Sequence, residues 1–151
     1  MNDASLRPAT VEDVPALTEL VQAAYGHYVE RLGGPPGPLT DDYAEVVKRR
    51  QTTVAECDGR IVGLVVVGPE DEGFFVDNVA VHPSCQGRGV GRALLRHAEA
   101  IARRAGFDAL HLYTHERMTE NLALYARTGY VEYDRRRHGD AVLIYLRKPL
   151  A

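Results

Sequence analysis

The stretch Val79-Ala80-Val81-His82-Pro83-Ser84-Cys85-Gln86-Gly87-Arg88-Gly89-Val90-Gly91-Arg92-Ala93-Leu94-Leu95 decides how this chain is read. An apolar, β-branched run stops at a proline, three glycines fall between positions 87 and 91, and an apolar helical pattern starts at once. This is a strand, a short loop and a helix start. The first N–H groups of a helix have no partner within it, and the helix dipole makes that end positive. Glycine lets a ligand approach the backbone because no Cβ intervenes, and Arg88 and Arg92 add charge at the same end. Such a junction suits phosphate oxygens. It is not a P-loop, since the chain holds no Gly-Lys pair. It is not a dinucleotide fingerprint either, because it reads Gly-x-Gly-x-Gly and follows a late strand. A glycine turn with a purely structural role fits these residues equally well.

Working outward, residues 5–8 form a short strand, and Thr10 with Asp13 resembles a capping box. Val14, Leu17, Val21 and Tyr25 recur at helical spacing, so the pattern predicts a helix over 11–32, broken near Gly26. Residues 33–38, Gly-Gly-Pro-Pro-Gly-Pro, read as a surface loop, and Thr40 is expected to cap a helix over 41–50. Runs at 52–56 and 61–68 flank Asp58-Gly59, a hairpin signal. Another strand covers 73–81. Behind the glycines, Val90, Leu94, Leu95, Ala98, Ile101, Ala102 and Ala105 mark one helix face, with Gly106 as its stop. A strand over 108–114, a helix from Thr119 or Glu120 to Gly129, and a final hairpin complete the order β-α-α-β-β-β-α-β-α-β-β. The helix between the strand ending at Val81 and the strand at Ala109 is a crossover, so those strands should be parallel in a mixed α/β sheet.

The chain has 151 residues, and domains cluster near roughly 100–150 residues, so residues 1–151 read as one domain. Hydrophobic residues make up 45% and charged residues 26%, the balance of a soluble globule. The net charge of −3 disfavours nucleic acid as a partner. No segment has the length of a membrane span or the layout of a signal peptide. Cys57 and Cys85 make no disulfide framework, and a cytoplasmic home is expected. The histidines are scattered without His-Glu-x-x-His or Cys-x-x-Cys, so no metal is expected.

Gln86-Gly87-Arg88-Gly89-Val90-Gly91 resembles the Q/R-x-x-G-x-G/A signature of the GCN5-related N-acetyltransferase (GNAT) superfamily. Val79-Ala80-Val81-His82-Pro83 resembles its strand ending and Arg92-Ala93-Leu94-Leu95 its helix start. Residues 122–130, with Leu124-Tyr125 and Gly129-Tyr130, resemble its next helix and strand. The resemblance covers nearly the whole chain. It implies a mixed, mostly antiparallel sheet of about seven strands flanked by about four helices, with a splayed parallel pair forming a cleft for coenzyme A. It further implies acetyl-CoA as cosubstrate, an amine of a small molecule or peptide as acceptor, and a possible homodimer. By the same resemblance the backbone N–H groups of Gln86, Gly87, Arg88, Gly89, Val90, Gly91 and Arg92 hold the pyrophosphate, while Val79, Ala80 and Val81 pair with the pantetheine arm. The Val79 N–H becomes the donor to the oxyanion.

The resemblance makes Tyr125 the acid that protonates the leaving thiolate; packing beside Leu122 and Leu124 is the structural alternative. Asn121, one turn earlier on the same face, is a candidate for the pantetheine amides. The family often places an Asn seven residues before the tyrosine, where this chain has Met118. The general base is open between Asp77 and His115. Strict strand alternation puts Asp77 on the face of Val79 and Val81, with Asn78 on the other. Tyr25, Tyr28 and Tyr43, with Asp41, Asp42 and Glu45, are candidates to line the acceptor site. A non-catalytic acetyl-CoA-binding regulator of a partner protein remains the alternative to an enzyme.

Overall fold

The computed structural model describes residues 4–150. Its seven strands form one sheet in the order β1-β2-β3-β4-β5-β7-β6. Strands β1 (Ser5–Pro8), β2 (Gln51–Cys57), β3 (Arg60–Glu70) and β4 (Gly73–Val81) pair antiparallel with one another in succession. Strands β5 (Ala109–His115), β7 (Ala141–Pro149) and β6 (Val131–His138) do the same on the other side. The two halves join through the parallel pair β4–β5, as the crossover requires.

The Asp58-Gly59 turn has positive φ at both residues, 53° and 77°, which matches the right-handed twist of the strands it joins. β3 is almost wholly apolar because both its faces are covered. On one face, helices α1 (Val14–Tyr25), α2 (Tyr28–Leu32), α3 (Gly37–Thr40) and α4 (Tyr43–Arg49) bury a core around Leu17, Tyr28, Val54, Leu64 and Val66. On the other face, α5 (Val90–Arg104) and α6 (Thr119–Arg127) bury Leu94, Leu95, Ala98 and Tyr125 against Val65, Val76, Leu110 and Leu112. Gly63 lets α5 sit close to β3, since a Cβ there would lie 2.9 Å from a Leu94 methyl and 3.2 Å from the Ala80 carbonyl oxygen.

Three expectations are corrected. The helix expected over 41–50 is shorter, and Asp42 rather than Thr40 caps it, accepting from the Ala44 N–H at 3.0 Å. Thr40 instead closes α3, a single turn at the end of the Gly-Pro stretch expected to be a loop. Its φ-restricted Pro38 sits in the first turn, where a missing N–H costs nothing. The added α3, with the division of the helix expected over 11–32 into α1 and α2, raises the count from four to six. The third correction concerns β4. Val66 pairs with Asn78 and Val67 with Val76, so Asp77 is an extra residue in a β-bulge. Val76 and Val79 therefore both face α5, and alternation fails for Asp77, which turns with Asn78 toward the opposite side.

One ion pair ties α5 to β7. Glu99 is only 5% exposed; its carboxylate accepts from Lys148 Nζ at 3.1 and 3.2 Å and from the Tyr130 hydroxyl at 3.2 Å. Lys148→Met leaves that buried carboxylate with one donor and is expected to cost about 3 kcal/mol in urea unfolding, whereas Glu99→Leu combined with Lys148→Met recovers most of the loss.

Candidate functional site

The parallel pairing of β4 and β5 spans only Phe74–Leu110, Phe75–His111 and Val76–Leu112. Beyond the bulge at Asp77 the two strands part. The His82 N–H donates to the Val62 carbonyl at 2.8 Å, so strand parity turns the backbone of Ala80 toward β3 and the backbones of Val79 and Val81 toward the gap. Polar backbone groups seek partners. Two side chains replace the missing strand: the Tyr25 hydroxyl at the Val79 carbonyl, 2.8 Å, and the Gln86 amide at the Val81 carbonyl, 3.3 Å.

The gap opens into two cavities. One, about 410 Å³, is walled by Val79, Ala80, Val81, Gln86, Gly87 and Gly91 with Asn121 and Leu124 of α6. The other, about 660 Å³, lies under residues 33–38 and includes Asp41, Tyr43, Arg50, Asp77, Asn78, His115 and Tyr125. Tyr25 and Asn121 line both, so the cavities meet at these two side chains.

At the end of the first cavity, Gly89 is the N-cap of α5 at φ 85° and Gly87 has φ 80°, both in the left-handed region. No side chain caps this helix, which leaves its first N–H groups for a ligand. A Cβ at Gly87 or Gly89 would meet nothing within 4 Å, so the surface of this loop is open. Gly91 differs: it is buried, and a Cβ there would touch Leu124 and Val81 at 3.4 and 3.6 Å, ordinary packing distances. The Gln86 N–H already donates to Pro83 at 3.4 Å, inside the turn. Arg88 and Arg92 are exposed at this end. These residues fit a pyrophosphate, and the backbone of Val79 and Val81 fits an extended amide chain laid beside it.

A buried hydrogen-bond chain crosses between the cavities. The Tyr25 hydroxyl lies 2.8 Å from both Asn78 Oδ1 and the Val79 carbonyl oxygen, and its single proton serves one at a time. Asn78 Nδ2 donates to the Tyr43 hydroxyl at 3.1 Å, which donates to the Pro38 carbonyl at 2.7 Å. Tyr25 and Tyr43 thus have structural partners, and burial pushes both hydroxyls above the usual tyrosine value. Tyr28 is walled into the helix core and borders only the first cavity.

The Asp77 side chain is 29% exposed and lies 3.3 Å from Arg50 Nη1. Burial raises its pKa to about 6; Arg50 opposes this, while Glu70 and Asp41 add to it. His115 reaches the same cavity, but its Nδ1 accepts from the Arg117 N–H at 3.0 Å. Tyr125 is 4% exposed, edge-on to Tyr130 at 6.1 Å, and burial raises its pKa well above the ordinary value. Met118, at the position where the family often has Asn, is buried and accepts from the Thr114 hydroxyl. Asp42 and Glu45 do not line the cavity. At the wall of the first cavity, α6 is strapped to α2 by Glu120, which accepts from Arg31 at 2.7 Å and contacts His27 at 3.1 Å.

Sequence reasoning missed Arg50, Glu70 and Tyr113 as members of the larger cavity. Arg50 ends the run Lys48-Arg49-Arg50 and looks like a solvated helix end. Among the described residues no group of three or more His, Cys, Asp or Glu could hold a metal ion, and no helix is long and apolar enough to cross a membrane.

Comparison with known proteins places this geometry. Residues 15–130 match the Acetyltransferase (GNAT) family. An IAA acetyltransferase of Azospirillum brasilense is 34% identical over 103 residues, covering 64% of this chain and 66% of that protein. A mycothiol acetyltransferase of Jonesia denitrificans is 36% identical over 99 residues, covering 64% of this chain but 30% of that longer protein. In fold, the chain is similar to a PaiA N-acetyltransferase from Thermoplasma acidophilum solved with coenzyme A, with a TM-score of 0.82, 16% identity, and coverage of 98% of this chain and 99% of the other. The match over most of the chain, joined to the splayed β4–β5 pair and the uncapped glycine turn, means that this protein belongs to the GNAT acetyltransferase family.

Proposed function

We propose that the protein is an N-acetyltransferase that moves an acetyl group from acetyl-CoA to a primary amine, directly, within a ternary complex. The observation that carries this reading is the meeting of the two cavities at Tyr25 and Asn121. One has an anion cradle and an unpaired strand edge for the cosubstrate. The other carries carboxylates suited to an amine.

Acetyl-CoA lies with its phosphates on residues 87–92 and its amide arm beside Val79 and Val81. The Val79 N–H, turned into the gap by strand parity, is the donor for the thioester oxygen as charge develops on it. An ammonium near the usual lysine pKa of about 10.4 must lose a proton before its nitrogen attacks. Asp77 is the base: raised to about 6, its carboxylate is ionised at neutral pH yet far more basic than an exposed aspartate. His115 suits this less well. The lone pair it would use at Nδ1 is held by the Arg117 N–H, so neutral His115 carries its proton on Nε2. As the N–C bond forms and the C–S bond breaks, Tyr125 gives its hydroxyl proton to the sulfur. The attacking nitrogen sheds its second proton as the C–S bond breaks, and that proton restores Tyr125 through solvent. Asp77 passes the first to bulk water, so each turnover releases one proton and the charges balance. Burial keeps Tyr125 protonated until that moment. Asn121, which lines both cavities, holds the arm at the junction.

Calorimetry with acetyl-CoA, together with CoA thiol release across a panel of amines, tests the reading. Tight acetyl-CoA binding with no acetyl transfer to any amine would instead indicate a binding protein. Tyr125→Phe is expected to lower kcat about 100-fold while acetyl-CoA affinity stays within about twofold. The acid limb of kcat/KM is expected near pH 6, falling as pH drops and Asp77 takes up a proton. Asp77→Asn should lower the rate about 100-fold and remove that limb from the profile.

A further inference from the structure

We propose that the acceptor is a small primary amine with an apolar, ring-sized body and no carboxylate: an arylalkylamine, not an amino acid. This rests on the acetyl-transfer reading and names the substrate class of that site. The charged side chains lining the larger cavity, apart from His115, are Asp41, Glu70, Asp77 and Arg50, three carboxylates against one guanidinium. That guanidinium is already committed. Arg50 Nη2 donates to Glu70 at 2.8 Å, and Nη1 faces Asp77 at 3.3 Å. It is also packed onto β3 at Gly68, where a Cβ would come within 2.6 Å of Nη1. A substrate carboxylate would meet a net charge of −2 from these four groups and find its one cation held by Glu70 and Asp77, a like-charge mismatch. An ammonium gains from the same surroundings.

The rest of the wall sets the body of the ligand. Leu32, Pro36, Val46, Met118 and Leu143 present carbon, and Tyr113 presents a ring. Tyr113 is 49% exposed and stacks on Tyr145 with centroids 5.1 Å apart, which leaves its outer face for a second aromatic group. The cavity is therefore negative where an amine must sit and apolar around it.

The test compares phenethylamine, phenylalanine and phenylalaninamide in CoA thiol release at saturating acetyl-CoA. Phenylalaninamide has the bulk of phenylalanine without its negative charge. Phenethylamine is expected to exceed phenylalanine in kcat/KM by about tenfold or more, with phenylalaninamide close to phenethylamine. Glu70→Gln weakens one hold on Arg50 and should narrow the phenethylamine-to-phenylalanine ratio about threefold. A ratio near or below one, or a ratio that Glu70→Gln leaves unmoved, overturns the proposal. If amino acids release CoA and phenethylamine does not, the substrate class falls while acetyl transfer stands. If no amine releases CoA, acetyl transfer itself falls and the class falls with it.

Discussion

Beyond Asp77 the backbone of β4 has lost its parallel neighbour, and its outward polar groups must be satisfied by something other than a strand. The rest of the site follows from that requirement. Tyr25 and Gln86 reach across to the carbonyls of Val79 and Val81, 2.8 and 3.3 Å away. Residue Tyr25 comes from the far end of α1, so the helix layer on that face is anchored to the open strand edge itself. The adjacent loop leaves the N-terminus of α5 without a side-chain cap. A sheet edge and a helix end, each incomplete, lie side by side, a shape that suits an extended anionic ligand.

The same hydroxyl that serves Val79 also begins the chain through Asn78 and Tyr43 to the Pro38 carbonyl, under the Gly-Pro segment over the larger cavity. Buried polar chains of this kind are stable only when every member is paired. Here the pairing runs from the strand that faces one cavity to the loop that covers the other. The side chains at the junction are therefore held from both sides, a condition for placing reacting groups with the accuracy that proximity effects require.

Much of this was legible in the sequence. The glycine turn, the helix behind it, both hairpins and the parallel crossover are local signals, each written within a few residues, and the structure contains all of them. The candidates Tyr125, Asp77 and Asn121 all reach the gap or its cavities. What escaped were features set by register and by distant contacts. The face of Asp77 depends on how β3 pairs with β4, and that register is not visible in either strand alone. Arg50 looks like the third member of a basic run until β3 brings Glu70 alongside it. Glu99 interrupts an apolar helix face in the sequence, and its partner Lys148 lies 49 residues away. The short helices at 37–40 and 43–49 were blurred for a simpler reason. Proline fits the first turn of a helix as readily as it fits a loop.

The bulge at Asp77 has a consequence of another kind. An extra residue bends its strand and increases the local twist, and here it lets two consecutive polar side chains face the same cavity just where β4 leaves β5. Strict alternation would send these two side chains to opposite faces of the sheet. Their shared orientation is thus a matter of how many residues β4 spends against β3, a count written across two strands rather than in either side chain.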